Sequence, residues 1–214
     1  MIHRPWPYLK RLIDTMSDSS IPAAQLVHSE RTPGLHLSTL LRKLHPIDPK
    51  KMAEEDDLAV MGLLGLAFED RAERALVHLS SQEDWPWFSF RPGEVVSEEG
   101  IICSPDILMV PKPAFPDLPL RELSLKCTWK SAAGWPREEG ENGFAPKFGY
   151  YLDQSMGYAT PLDTDGGFLV CYFVRADYKN FAPSPEILGN ELEWSGQERN
   201  ETWDQLLAIA AEGV

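Results

Sequence analysis

The chain has 214 residues, with 33 acidic against 20 basic and a formal net charge of −13 at pH 7. A hydrophobic fraction of 43% with 10% aromatics excludes a disordered chain, and the length suits one globular domain with a sizeable core. No apolar run approaches the roughly 20 residues of a membrane span, and the charged N-terminus lacks the apolar stretch of a signal peptide, so the expected address is the cytoplasm.

From the N-terminus, Tyr8–Met16 predicts a short amphipathic helix followed by a polar Ser/Asp turn. His36–Leu44 has Leu at helical spacing, with Ser38 as its expected N-cap and Pro46 and Pro49 as its breakers. A long helix is expected from about Lys51 to Leu79, where Leu58, Met61, Leu64, Gly65, Phe68, Ala72, Leu76 and Leu79 keep a 3.6-residue period. Residues 85–110 change character. They are aromatic and β-branched, with turn signals at Arg91–Gly93 and Glu98–Gly100, and read as strands joined by tight turns. Pro111, Pro113, Pro116 and Pro119 mark a stiff loop. LRELSLKCTW predicts the next strand, Gly134–Lys147 a polar loop, and FGYYLDQSMGYA a helix. GGFLVCYFVRADY is a nearly uninterrupted apolar strand, and NETWDQLLAIAAE a final amphipathic helix capped by Asn200. The order defines a mixed α/β (α+β) fold.

Cys103, Cys127 and Cys171 are too few and too widely spaced for a disulfide framework or a zinc or iron–sulfur site, and read as buried small hydrophobes. The acidity is a strong objection to a nucleic-acid partner, because phosphate binding relies on Lys and Arg. It is uneven, however. Residues 1–51 hold eight basic and four acidic residues, and residues 112–147 six basic and five acidic, whereas residues 52–111 hold three basic and thirteen acidic. Bound divalent metal would neutralise part of that excess.

Four features carry chemistry. Glu69 lies on the long helix, with Glu73 one turn later. Asp106 follows Pro105 at the mouth of an apolar strand. Lys126 sits in LSLKC, where alternation places Glu122, Ser124 and Lys126 on one face. Gln154 and Tyr158, at i and i+4, are neighbours on the later helix. Carboxylates that hold Mg²⁺, with a Lys beside a phosphate, form the set that phosphodiester hydrolysis needs. Each feature alone has a plainer reading. Glu69 and Glu73 fit a solvated helix face, Pro-Asp a turn, and Lys126 an edge strand with its head in water.

Taken together, FEDRAERAL, SPDIL, LSLKCTWKS and QSMGY, over roughly residues 60–175, resemble the PD-(D/E)XK nucleases. Within them the likeness is to phage recombination exonucleases of the lambda exonuclease type and their RecB-like relatives. The resemblance implies a restriction-endonuclease-like core, with a central mixed sheet flanked by helices. It implies one domain over 1–214, with 1–50 a helical extension, 51–180 the core and 181–214 a C-terminal helix. It also implies Mg²⁺, replaceable by Mn²⁺, held by Asp106, Glu69 and the Leu125 backbone carbonyl. Lys126 would stand beside the attacking water, with Gln154 and Tyr158 in support. The expected activity is exonucleolytic cutting at duplex DNA ends in recombination or repair, in a bacterial or phage-infected cytoplasm. A ring-like homo-oligomer and a single-strand annealing protein as partner are further implications.

One position departs from the pattern. The family's second strand acid falls at Ser124, a neutral ligand at best. Glu122 would have to reach back about 6.6 Å along the strand to replace it. Glu138 or Glu139 would have to swing in from the next loop. Without a replacement, the chain is a weakened or inactive nuclease-fold module that binds DNA or protein. An acidic interaction protein with a chance motif match is the third reading.

Overall fold

The computed structural model describes residues 1–22, 32–46, 55–128, 130–139, 143–174 and 186–213, excepting the side chains of 55–61. The expectations for Pro49, for residues 51–54, for the side chains of Leu58 and Met61, and for residues 175–178 lie outside the described residues. In chain order the elements are β1 (Ile2–Pro5), α1 (Leu9–Met16), β2 (Leu35–His36), α2 (Leu37–Leu44), α3 (Glu55–Ser80), β3 (Trp87–Phe90), β4 (Val95–Val96), β5 (Ile101–Cys103), β6 (Ile107–Pro111), β7 (Arg121–Thr128), α4 (Gly149–Leu162), β8 (Gly166–Phe173), β9 (Glu186–Glu193) and α5 (Gly196–Ala211). A single 3-10 turn, Pro146–Phe148, leads into α4.

A mixed six-stranded sheet organises these elements in the order β1-β9-β8-β7-β6-β3. Its β7–β8 pair is parallel, with α4 as the crossover between them, and the other neighbours are antiparallel. On one face Trp87, Ile107, Met109, Leu123, Leu125, Phe168 and Val170 pack against Phe68, Ala72, Ala75, Leu76 and Leu79 of α3 and Leu12 of α1. On the other, Leu169, Cys171, Phe173 and Leu192 meet Met156 and Ala159 of α4. Being covered on both faces is why β8 reads as a continuous apolar run. Each such fully buried aliphatic or aromatic side chain contributes about 1.5–3 kcal/mol. A small sheet, β2-β5-β4, sits over a third cluster in which α2, β5 and α5 meet Tyr158. No helix among the described residues is long and apolar enough to cross a membrane.

Several expectations shift. The cap of α2 is His36 rather than Ser38. The last helix starts four residues before Asn200, at a capping box in which Ser195 and Glu198 satisfy each other's backbone. The described part of the Gly134–Lys147 stretch is more than a polar loop, because its Trp135 and Phe144 stack edge to face on each other and on Phe148. Buried Asn190 accepts from Trp135 Nε1 at 2.5 Å and donates to the Pro136 carbonyl at 3.2 Å. Two strands, β1 and β9, pair with each other where none was expected, so both flanking segments contribute to the sheet. The three cysteines are free, with Cys103 and Cys171 buried, as expected of small hydrophobes. Burial pushes the Cys103 thiol up to about 12.

Candidate active site

Antiparallel pairing sets Ile107 opposite Leu123 and Leu108 opposite Glu122, which brings the residue just before β6 alongside the C-terminal half of β7. Asp106 is that residue. Its Oδ2 accepts from Lys126 Nζ at 3.0 Å and from the Leu125 backbone N–H at 2.8 Å. The two bonds fix the carboxylate, and the charge-assisted one is the stronger kind. What Leu125 offers Asp106 is thus its N–H. Burial lowers the Lys126 pKa, but the charge and hydrogen bond of Asp106, with Glu122 and Glu69 behind it, outweigh that and leave it raised. Lys126 is therefore a cation and a donor at neutral pH.

Glu69 is delivered from α3. With Asp106, Lys126, Gln154 and Tyr158 it lines a cleft of about 560 Å³ at the end of the sheet. Burial, and then the negative charge of Asp106, raise the Glu69 carboxyl to about 7, against the opposing pull of Lys126 and Arg91. On α4, Gln154 Nε2 donates to the Tyr158 hydroxyl at 3.1 Å, and burial holds that phenol well above its ordinary value. The structure thus brings Glu69, Asp106, Lys126, Gln154 and Tyr158 to one place.

Glu122 and Ser124 are placed differently. Both are fully buried and neither lines the cleft. Ser124 Oγ donates to Glu122 Oε1 at 2.7 Å, and Ser155 Oγ on α4 donates to Glu122 Oε2 at 2.8 Å. The Glu122 carboxyl does reach the Ser124 position, but behind the cleft wall. Burial raises it to about 8, tempered by the Ser124 hydrogen bond. Glu138 and Glu139 are exposed, and Glu139 acts on Arg4 at the far edge of the sheet. Glu73 is paired with Arg91 at 3.0 Å and does not line the cleft.

Sequence reasoning missed Arg91 and His36, which also line the cleft, and Ser155 behind it. In the sequence Arg91 belongs only to a turn signal, Arg91–Gly93. Ser155 acquires a role only once α4 is seen to lie on β7.

Among the described residues, no three His, Cys, Asp or Glu side chains are grouped as a metal cluster. The donor set toward a cation is the two carboxylates Glu69 and Asp106. That is sparse, and it fits Mg²⁺, which keeps several waters and takes one or two carboxylates. No protein-family model and no curated protein matches the chain. Solved structures similar to it include the crystal structure of SSO0001, with 12% identity over 95% of this chain and 86% of that one, at a TM-score of 0.44. A likeness at that level carries no functional weight.

Proposed function

We propose that this chain is a Mg²⁺-dependent deoxyribonuclease of the PD-(D/E)XK type, with a restriction-endonuclease-like core, cutting phosphodiester bonds at duplex DNA ends. The observation that supports it is the meeting of Asp106, Lys126 and Glu69 in one cleft, with Lys126 Nζ 3.0 Å from Asp106. Glu69 and Asp106 would hold the ion, whose chemistry there would be polarisation of the phosphate and a lowered pKa for a water. The chain's own residues supply the rest. Asp106 orients the Lys126 ammonium, which remains protonated and donates to the oxygen on which charge develops. Gln154 and Tyr158, locked to each other, wall the cleft and limit water. A homo-oligomer and a single-strand annealing partner belong to the same proposal.

Digestion of linear duplex DNA with Mg²⁺ is the test. Asp106→Ala and Lys126→Ala should each lose at least about 10²–10³-fold in rate, the scale seen when a group that stabilises developing charge is removed. Retained digestion in both variants would sink the assignment.

One observation favours a weaker enzyme. The acid nearest Ser124 is Glu122, buried behind the cleft and held by two serines. Under that reading the wild type cuts slowly or not at all, and the chain serves as a DNA- or protein-binding module. A wild type that binds linear duplex DNA in Mg²⁺ but leaves it uncut would support it.

A further inference from the structure

Glu122 and Ser124 share a strand face with Lys126, yet the proposed chemistry uses neither. The Glu122 side chain folds along β7 toward Ser124, so that two hydroxyls hold its carboxyl. Ser124 Oγ is 2.7 Å from one oxygen and Ser155 Oγ, on α4, is 2.8 Å from the other. None of the three residues has exposed surface. Water cannot replace either bond, so the arrangement holds its geometry.

The surroundings make room for it. Gly167 of β8 stands opposite Glu122, and a Cβ there would lie 3.2 Å from Glu122 Oε2 and 3.1 Å from Ser155 Oγ. A neutral, short side chain at 124 serves the same end, because a carboxylate there would set a like charge against the Glu122 carboxyl. The serine that departs from the nuclease pattern is thus the partner of an acid two residues away.

Because Glu122 is on β7 and Ser155 on α4, the bond between them ties helix to strand. The apolar contacts of Met156 and Ala159 with the sheet set how close α4 lies, without direction. Hydrogen bonds set direction as well. Tyr151 bonds Thr128 at the start of the helix, and Ser155 bonds Glu122 one turn later. Gln154 precedes Ser155 and Tyr158 follows it at i+3. Those two, bonded to each other at 3.1 Å, line the cleft with Lys126. What fixes Ser155 therefore fixes both of them within a single turn.

We propose that Glu122 is a positioning residue: through Ser155 it seats α4 on β7, and so sets Gln154 and Tyr158 relative to Lys126 in the cleft. Its effect on cutting rests on the nuclease reading of the cleft, while the seating of the helix does not.

Fluorine NMR of the full chain labelled with 3-fluorotyrosine, without metal or DNA, is the test. Tyr158→Phe and Tyr8→Phe assign two signals, and Tyr8, packed on Trp85 and Trp87 on the other face of the sheet, is the control. Ser155→Ala should shift and broaden the Tyr158 signal and leave that of Tyr8 in place. Ser124→Ala, which takes a hydroxyl from the same carboxyl but not from α4, should move it less. Glu122→Gln should keep the wild-type signal, because an amide both donates and accepts and a serine hydroxyl takes either role. A Tyr158 signal unmoved in Ser155→Ala, or moved equally in the two serine variants, assigns the three residues to stability alone and overturns the proposal. Equal movement of the Tyr8 signal would do the same. In digestion of linear duplex DNA, Ser155→Ala should lower kcat by about 10–10²-fold, the scale of a small misplacement in an active site. Undiminished kcat beside a shifted Tyr158 signal would also overturn it. A wild type that cuts no DNA, with the Tyr158 signal moved as expected, removes the nuclease reading and leaves the seating of α4 in place.

Discussion

Glu122 has no exposed surface, and its two carboxyl oxygens each accept from a serine hydroxyl. Its folded pKa, about 8 against an ordinary 4.5, means that the native state holds a proton that the unfolded chain has already released over that interval. The contribution of Glu122 is therefore full below about pH 4.5 and is lost as pH rises through about 8, at roughly 1.4 kcal/mol per pH unit. Glu69, raised to about 7, adds a slope of the same sign that ends sooner. Urea unfolding in EDTA should show lower stability at pH 8 than at pH 5, and Glu122→Gln should remove most of that difference. An unchanged slope in the variant would mean that the buried acid is ionised in the native state. Residue type and alternation placed Glu122 on the face of Lys126, but only the serine of α4 shows that it is turned away from the cleft.

At the scale of the elements, close approach decides which positions tolerate change. A Cβ on Gly166, where β8 begins, would lie 2.4 Å from the Leu192 carbonyl oxygen and 2.9 Å from the Arg121 guanidinium. On Gly157 of α4 it would meet only leucine methyl groups, of Leu37 at 2.9 and 3.0 Å and of Leu206 at 3.5 Å. Backbone cannot yield as a leucine tip can. Gly166→Ala should therefore lose about 1–3 kcal/mol or more in chemical unfolding. Gly157→Ala should be close to neutral, since the gain in helix propensity of about 1 kcal/mol offsets the crowding. Equal losses in both would contradict the contact geometry. The same local physics explains what the sequence allowed to be read. The helices α1, α2 and α3 and the strand β8 carry periodic or continuous apolar patterns. Strand β9, EILGNELE, does not: Glu191 and Glu193 answer Arg4 across the ladder, and Gly189 leaves room for Leu9 of α1. Such a strand is specified by its partners, and its own alternation is nearly silent. The caps shifted for a related reason, since Ser195 with Glu198 outcompetes Asn200, which lies within the helix.

At the scale of the molecule, acidity is the dominant electrostatic fact, and the Arg91 and Lys126 cations that line the cleft are each paired within the chain, with Glu73 and Asp106. If both cations exchange these partners for phosphates of duplex DNA, the two contacts correspond to a salt slope of about −2 in log K against log salt. Titration of linear duplex DNA in EDTA between about 50 and 200 mM salt should give roughly that value. A flat response would argue against phosphate contacts. Much of the candidate site was legible because its members fall at strand mouths and on helix faces whose register the sequence encodes. The rim was not, because Arg91 and His36 come from a turn and a two-residue strand that hold no pattern of their own.

The β7–β8 pair is the only parallel one in the large sheet as described, and it has a consequence for the order in which the molecule is built. Asp106 and Lys126 are twenty residues apart and can meet as soon as β6 folds back on β7. Gln154 and Tyr158 ride on the crossover, which has to span from Thr128 to Gly166 before its ladder forms, and closing such a long connection is slow. The charged half of the cleft can therefore form over a short loop, while its far wall waits for the longer crossover to close.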